Sequence, residues 1–141
     1  MRLLLLFASL FFIPLASLQA EEENVYAPML RDRILGDDNA PVTIVDYSSL
    51  TCPHCAHLHS GALKKIKTDL IDTGKAKLVF RDYPLNAPAL QASLVARCLS
   101  DDETYFQYID FLFETQESWA QLPDVRPYLA QNARLLGISS D

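Results

Sequence analysis

The sequence contains no run of basic residues. Its 12 lysines and arginines face 18 acidic residues, for a formal net charge of -6. Nucleic-acid surfaces gather Lys and Arg on one face, so nucleic-acid binding is not expected. No apolar stretch is long enough to cross a bilayer comfortably: residues 3–15 form the longest, and a span takes about 20 residues. There is no internal repeat and no low-complexity segment beyond the leader. Cysteine and histidine number three each, and no second Cys or His pair stands at the spacing of a structural zinc site. What the chain has in quantity is apolar residues, 50% of its 141 positions. That fraction can build a core and argues against disorder. The length suits one small domain.

The first twenty residues stand apart. Arg2 gives a positive start, residues 3–15 are almost wholly apolar, residues 16–20 are small-residue-rich, and Glu21, Glu22 and Glu23 open a charged segment. This is the layout of a secretory signal peptide. Cleavage is expected after Ala20, the alternative being an uncleaved N-terminal anchor. No cysteine follows the apolar run, which argues against a lipoprotein. Export bears on the chemistry, because paired thiols persist as disulfides outside the reducing cytosol. Of Cys52, Cys55 and Cys98, one is left without a partner.

Residues 21–41 read as an N-terminal arm, with a short strand near residues 30–35 and a cluster of turn formers at Gly36-Asp37-Asp38-Asn39-Ala40-Pro41. Residues 42–47 are β-branched and aromatic and predict a strand. A helix is expected from Cys52, with Pro53 at the first helical position, where its missing N–H is not needed. Cys55, His59, Ala62, Leu63, Ile66 and Leu70 recur at spacings of three and four and give that helix one inner face, and Gly74 ends it. Residues 76–81 predict a second strand. Strand, helix and strand form a right-handed βαβ unit with parallel strands. The remainder reads as helical: residues 87–99, then a helix capped by Asp101 or Asp102 and running to about Glu117, then residues 123–136 stopped by Gly137. Tyr105, Phe106, Ile109, Leu112 and Phe113 share one face of the middle helix, which fits core packing better than a ligand stripe.

Cys52-Pro53-His54-Cys55 is where the chemistry is expected. Two cysteines three apart at a helix start can close a small disulfide ring. The free N–H groups and positive dipole end of the helix favour a thiolate at Cys52. A thiolate there is both the better leaving group and the accessible attacking sulfur. His54, when protonated, adds positive charge. The disulfide is thereby destabilised relative to the thiolate form, so the pair is expected to be oxidising. Cys55 is expected deeper along the helix as the resolving thiol. Cys52, Cys55 and His59 are also three potential zinc ligands, since Cys55 and His59 lie four apart on one helical face. Without a further ligand pair, metal is not expected, and a packing or surface role is the reading for His57 and His59.

Residues 36–55, from Gly36-Asp37-Asp38-Asn39-Ala40-Pro41 to Cys52-Pro53-His54-Cys55, resemble the DsbA-like branch of the thioredoxin superfamily. Phe80-Arg81-Asp82-Tyr83-Pro84-Leu85 and a small-residue helix ending Ala96-Arg97-Cys98 look like the same branch, and the match runs in order over residues 36–138. The resemblance implies an α/β thioredoxin-like fold with a helical insertion over about residues 87–138. It implies an exported, periplasmic enzyme that introduces disulfides into reduced secreted proteins without a cofactor and is reoxidised by a membrane quinone-linked partner. A disulfide isomerase or reductase is the near alternative. A non-catalytic remnant that binds metal or peptide is the distant one. The resemblance also gives Asp46, six residues before Cys52, the place of a buried acid beneath the site that relays a proton to or from the inner cysteine. A desolvated carboxylate has a raised pKa and serves as a base; a solvent-facing strand-end Asp is the other reading. The family's helical insertion is followed by a cis-proline, two strands and a final helix. None of Pro84, Pro88, Pro123 or Pro127 stands where that proline belongs, and Ser139-Ser140-Asp141 looks like the cap of a helix that does not follow. The expectation is therefore a DsbA-like domain over residues 42–141 lacking those C-terminal strands and helix. In some members a cysteine placed like Cys98 pairs with a later one, and none follows here.

Overall fold

The computed structural model describes residues 27–136. The expected signal peptide, the Gly137 stop and the cap at residues 139–141 lie outside the described residues. A single turn of helix, α1 (Ala27–Leu30), leads into β1 (Arg33–Leu35) and β2 (Val42–Ser48). Then come α2 (Pro53–Ser60) and α3 (Ala62–Ile66), the latter running into a π turn at Lys67–Ile71. Strand β3 (Ala76–Asp82) follows, and four helices complete the described chain: α4 (Ala87–Arg97), α5 (Asp102–Glu114), α6 (Gln116–Trp119) and α7 (Arg126–Leu135).

The sheet order is β1-β3-β2. β2 lies parallel to β3, from Val42 opposite Ala76 to Ser48 opposite Asp82, as a βαβ crossover requires. β1 lies antiparallel to β3, with Arg33 opposite Phe80. Part of the expected arm is thus a strand of the sheet, and β3 is its central member. β3 buries Ala76, Leu78, Val79 and Phe80. β2 is hydrogen-bonded along one side only among the described residues. Its residues alternate in exposure: Thr43, Val45 and Tyr47 are exposed, while Ile44, Asp46 and Ser48 turn toward the helices. Gly36 makes the turn out of β1 with φ +100°, in the left-handed region that suits glycine. A Cβ there would stand 2.6 Å from Ile71 Cγ2, so the turn can pack against the π turn only as glycine.

The helix expected from Cys52 to Gly74 is broken twice. Gly61 separates α2 from α3, and the π turn inserts one residue into the helical repeat. That extra residue shifts the phase by one position. Leu63 stays buried, but Leu70, placed on the inner face by strict spacing, is 37% exposed and Ile71 is buried at 3%. The helix expected to reach Glu117 ends earlier: Asp101 caps α5 by accepting from Thr104 N–H at 2.8 Å, and the chain turns at Thr115 before α6. All five residues expected on the inner face of α5 are buried, and Tyr108 joins them. With Leu50, Leu78, Phe80, Trp119 and Leu129 they form the core.

A guanidinium is buried with them. The side chain of Arg33 is 1% exposed. It donates to the carbonyls of Arg97 at 3.0 Å and Leu99 at 2.6 Å, pairs with Asp102 at 3.2 Å, and lies over the Tyr105 ring. β1 is thereby bolted to the end of α4 and the start of α5.

Candidate redox site

The site sits where β2 ends and α2 begins. Leu50 and Ser49 are buried at the strand exit, and Cys52 N–H bonds back to Ser49 C=O at 3.0 Å to close a turn. That turn delivers Cys52 to the N-cap of α2, in extended conformation, with Pro53 at the first helical position. Cys52 C=O accepts from Ala56 N–H at 3.0 Å, so the helix is engaged from its first residue. Pro53 and His54 are exposed, and both cysteines are half-buried, with free thiols. The segment after β3 is tied to the same turn: Tyr83 N–H donates to Ser48 C=O at 2.9 Å and Thr51 Oγ1 donates to Asn86 Oδ1 at 3.1 Å.

The two thiols are set apart electrostatically. The Cys52 thiol is held below its ordinary value by the Cys55 backbone N–H and the Cys55 side chain, with the His54 N–H adding to them against a small cost of burial. Burial pushes the Cys55 thiol up, and its hydrogen bond to Cys52 adds to that, while Ser49 N–H and the Ser48 hydroxyl work the other way. Free N–H groups at a helix start favour a thiolate in this way.

Asp46, on β2 two residues before the buried Ser48, has its side chain 10% exposed. It accepts from Ser48 Oγ at 2.6 Å, and its Oδ2 is 2.8 Å from Nε2 of His59. The solvent-facing reading of Asp46 is thus corrected, and so is the expectation of a raised pKa. Burial does work to raise it, but the hydrogen bonds from His59 and Ser48 and the charge of His59 together outweigh burial and hold the carboxyl below its ordinary range. His59 is buried at 4%, stacked on Phe113 with ring centroids 4.0 Å apart. Its ring nitrogens face two carboxylates, Asp46 and Asp110, rather than the cysteine sulfurs. Among the described residues no cluster of three metal-ligating side chains forms. His57 is exposed.

Gln116 went unmarked in the sequence. Its buried amide donates to Leu50 C=O at 2.8 Å and Cys52 C=O at 3.1 Å, so α6 clamps the turn that carries Cys52. No spacing or motif announces a lone glutamine across 64 residues of chain. Replacing Gln116 by Leu leaves the Leu50 carbonyl without that donor, at an expected cost of about 1–3 kcal/mol. Urea unfolding reads the cost, and a thiolate titration shows Cys52 moving up toward the ordinary thiol value. If both stay at wild type, the clamp contributes nothing.

A family model described as thioredoxin matches residues 29–136. The chain belongs to the thioredoxin family. Among solved structures it is similar to Wolbachia pipientis α-DsbA1, with a TM-score of 0.73 and 36% identity over 79% of this chain and 57% of that one. It is also similar to oxidised BdbD of Bacillus subtilis, with a TM-score of 0.64 and 28% identity over 74% of this chain and 63% of that one. Its fold is therefore DsbA-like. In sequence it is 34% identical over 110 residues to a Rickettsia typhi protein whose name assigns it, provisionally, to the protein-disulfide oxidoreductases. It is 30% identical over 91 residues to disulfide bond formation protein D of Bacillus subtilis. These matches cover 78% and 62% of this chain but 41% of each relative, so this thioredoxin-family chain spans about two fifths of the length of those proteins.

Proposed function

We propose that this chain carries the redox site of an exported thiol–disulfide oxidoreductase that introduces disulfides into secreted proteins. The observation that carries the reading is the placement of the pair: Cys52 is the N-cap of α2 with Pro53 at its first position, and Cys55 lies one turn along the same helix, both with free, half-buried thiols. In the oxidised form a substrate thiolate attacks Cys52 Sγ. The Cys52–Cys55 bond breaks, a mixed disulfide forms at Cys52, and Cys55 leaves with the electron pair and takes up a proton. A second substrate thiolate then attacks the substrate sulfur of the mixed disulfide, and Cys52 departs as a thiolate stabilised by the helix start. The substrate loses two electrons and two protons to the enzyme pair and its surroundings. Attack by Cys55 on the mixed disulfide runs the other way and returns the substrate unchanged. The resolving role first assigned to Cys55 therefore belongs to reduction and to rescue of stalled complexes. Pro53 starts the helix, His54 supplies a backbone N–H to Cys52, and Asp46 on the strand leading to the site is the proposed proton relay for Cys55.

The N-terminal signal-peptide pattern supports export to the periplasm, and the names of the relatives support the reaction class. A membrane quinone-linked protein is the proposed reoxidant, and reduced secreted proteins are the proposed substrates. The test is a thiolate titration by ultraviolet absorbance of the reduced protein in a Cys98→Ser background, followed by oxidation of a reduced test protein by the disulfide form. The expected result is a Cys52 pKa well below the ordinary thiol value of about 8.5, and stoichiometric transfer of one disulfide. A Cys52 pKa at the ordinary value with no transfer rejects the reading for this chain.

A further inference from the structure

A cleft of about 550 Å³ opens beside the redox helix, between α2 and the chain that leaves α5 through α6. Its head is built from Thr51 and Pro53, the two neighbours of Cys52 in sequence. Its volume lies in the range of sites that hold a small ligand or a few side chains, about 300–1,000 Å³. The far wall divides its work between two adjacent residues of α6. Successive side chains on a helix point about 100° apart. Gln116 turns inward and donates to the Leu50 and Cys52 carbonyls at 2.8 and 3.1 Å, while Glu117 is exposed and lines the cleft. The Gln116 bonds tie that wall to the turn that carries Cys52.

The charge of the lining has one sign. Glu114 and Glu117 contribute carboxylates, His57 lies on the α2 side, and among the described residues no lysine or arginine lines the cleft. Glu114 is already paired, with Lys64 at 2.7 Å. Glu117 has no ion pair or side-chain hydrogen bond among the described residues. A carboxylate is at home in the first turn of a helix, and that role leaves its outer face open to a partner. A substrate joined to Cys52 by a mixed disulfide has to lay the chain beside its own cysteine against the surface around Thr51 and Pro53. Building on the redox reading above, we propose that this cleft receives that stretch of a reduced substrate protein, and that Glu117 favours substrates carrying lysine or arginine there. A basic stretch gives Glu117 the partner it lacks, and an acidic stretch meets like charge. Complementary charge of this kind speeds encounter and suppresses wrong partners. The choice therefore acts on the first attack at Cys52 Sγ and leaves the sulfur exchange itself unaltered.

The test uses the disulfide form of the Cys98→Ser protein and two dithiol peptides, alike except that lysine or glutamate flanks the first cysteine. A peptide thiolate attacks Cys52 Sγ and the Cys52–Cys55 bond breaks. The second peptide thiolate then closes the peptide's own disulfide, and the enzyme pair holds the electrons and protons the peptide has lost. Acid quenching and chromatography give the second-order rate constants. Flanking lysine also makes the peptide thiol more acidic, so the measure is the lysine-to-glutamate rate ratio compared between proteins, in which that effect cancels. At low salt the ratio is expected to fall about fourfold in Glu117→Gln, the scale of one exposed ion pair, and further in Glu117→Lys. Glu103→Gln, at the other end of α5, removes the same charge away from the cleft and keeps the starting ratio. In about 1 M salt, where screening sets in beyond about 3 Å, the starting ratio approaches that of Glu117→Gln. A ratio unchanged in Glu117→Gln, or lowered equally in Glu103→Gln, overturns the proposal. Protein with Glu117 intact that oxidises neither peptide rejects the redox reading instead, and binding then decides. With both cysteines of the lysine peptide replaced by serine, the backbone amides of Ser60, Ser118 and Gln121, which line the cleft, are expected to shift in NMR spectra, and to shift less in Glu117→Gln. Shifts confined to other surfaces, or equal in the two proteins, sink the idea.

Discussion

Arg33→Met is expected to cost about 3–5 kcal/mol of stability, the range for breaking a buried charge pair by removing one partner. The guanidinium is 1% exposed and its donors reach Arg97 and Leu99 carbonyls at the C-terminal end of α4, where a helix has no internal partners for its last carbonyls. A methionine fills much of the volume but donates nothing. It leaves Leu99 C=O and part of Asp102 unsatisfied and gives up the cationic contact with Tyr105 at 4.8 Å. Asp102 itself stays partly served, by Arg31 at 2.6 Å and Ile34 N–H at 3.1 Å. Arg31→Met is the control. Its side chain is 40% exposed, so its ion pair is worth less than about 1 kcal/mol. Equal shifts of the urea midpoint in the two variants would falsify the assignment of Arg33 as the bolt between β1 and the helices.

Trp119→Ala is the second large effect. The indole is wholly buried and its Nε1–H donates to Leu112 C=O at 2.9 Å. Truncating a buried tryptophan costs about 3–5 kcal/mol through lost burial and the cavity left behind. Trp119→Phe keeps most of the burial and mainly loses the hydrogen bond, for about 1–3 kcal/mol. This is the only tryptophan in the chain, so far-UV circular dichroism, not fluorescence, follows the unfolding. The same variants touch the site, because Trp119 closes the short helix whose Gln116 holds the Cys52 turn. Loss of the anchor should raise the Cys52 pKa under conditions where the fold persists. A Trp119→Ala protein as stable as wild type would mean that α6 is held by other contacts.

The His59–Asp46 pair also has a pH signature in stability. His59 is raised, so its contribution is complete below the ordinary histidine value and is lost as pH rises through its folded value above that. Asp46 is lowered, so its contribution is present above the ordinary aspartate value and is lost as pH falls through its folded value below that. The pair therefore stabilises the fold most in the window between, at mildly acid pH.

Local chemistry made much of this legible in advance. The strand before the cysteines, Pro53 at the helix start, the inner face of α5 and the second strand follow from alternation, spacing and the geometry of proline. What stayed hidden depends on residues distant in sequence. The π turn that exchanges Leu70 for Ile71 is invisible to a strict helical repeat. The short β1 acquires its meaning only from pairing with β3. His59 is an ordinary helical position until Asp46, thirteen residues away on another element, closes on it. The lowered Asp46 carboxyl follows from the same contact: burial alone predicts the opposite sign, and only the partner reverses it.

The one-sided ladder of β2 leaves a row of main-chain groups, among the described residues, to which a further strand can be added. Along one side of a seven-residue strand, main-chain donors and acceptors stand open among the described residues, and any extended segment of suitable length can satisfy them. Proline or a charged side chain on the edge blocks such pairing. Coulomb repulsion between copies, which follows from the net charge of -6, opposes it, and dissolved salt shortens the reach of that repulsion to about 8 Å at physiological ionic strength. Raised ionic strength therefore favours edge-to-edge contact between copies, and a charged or proline substitution on the open side of β2 opposes it.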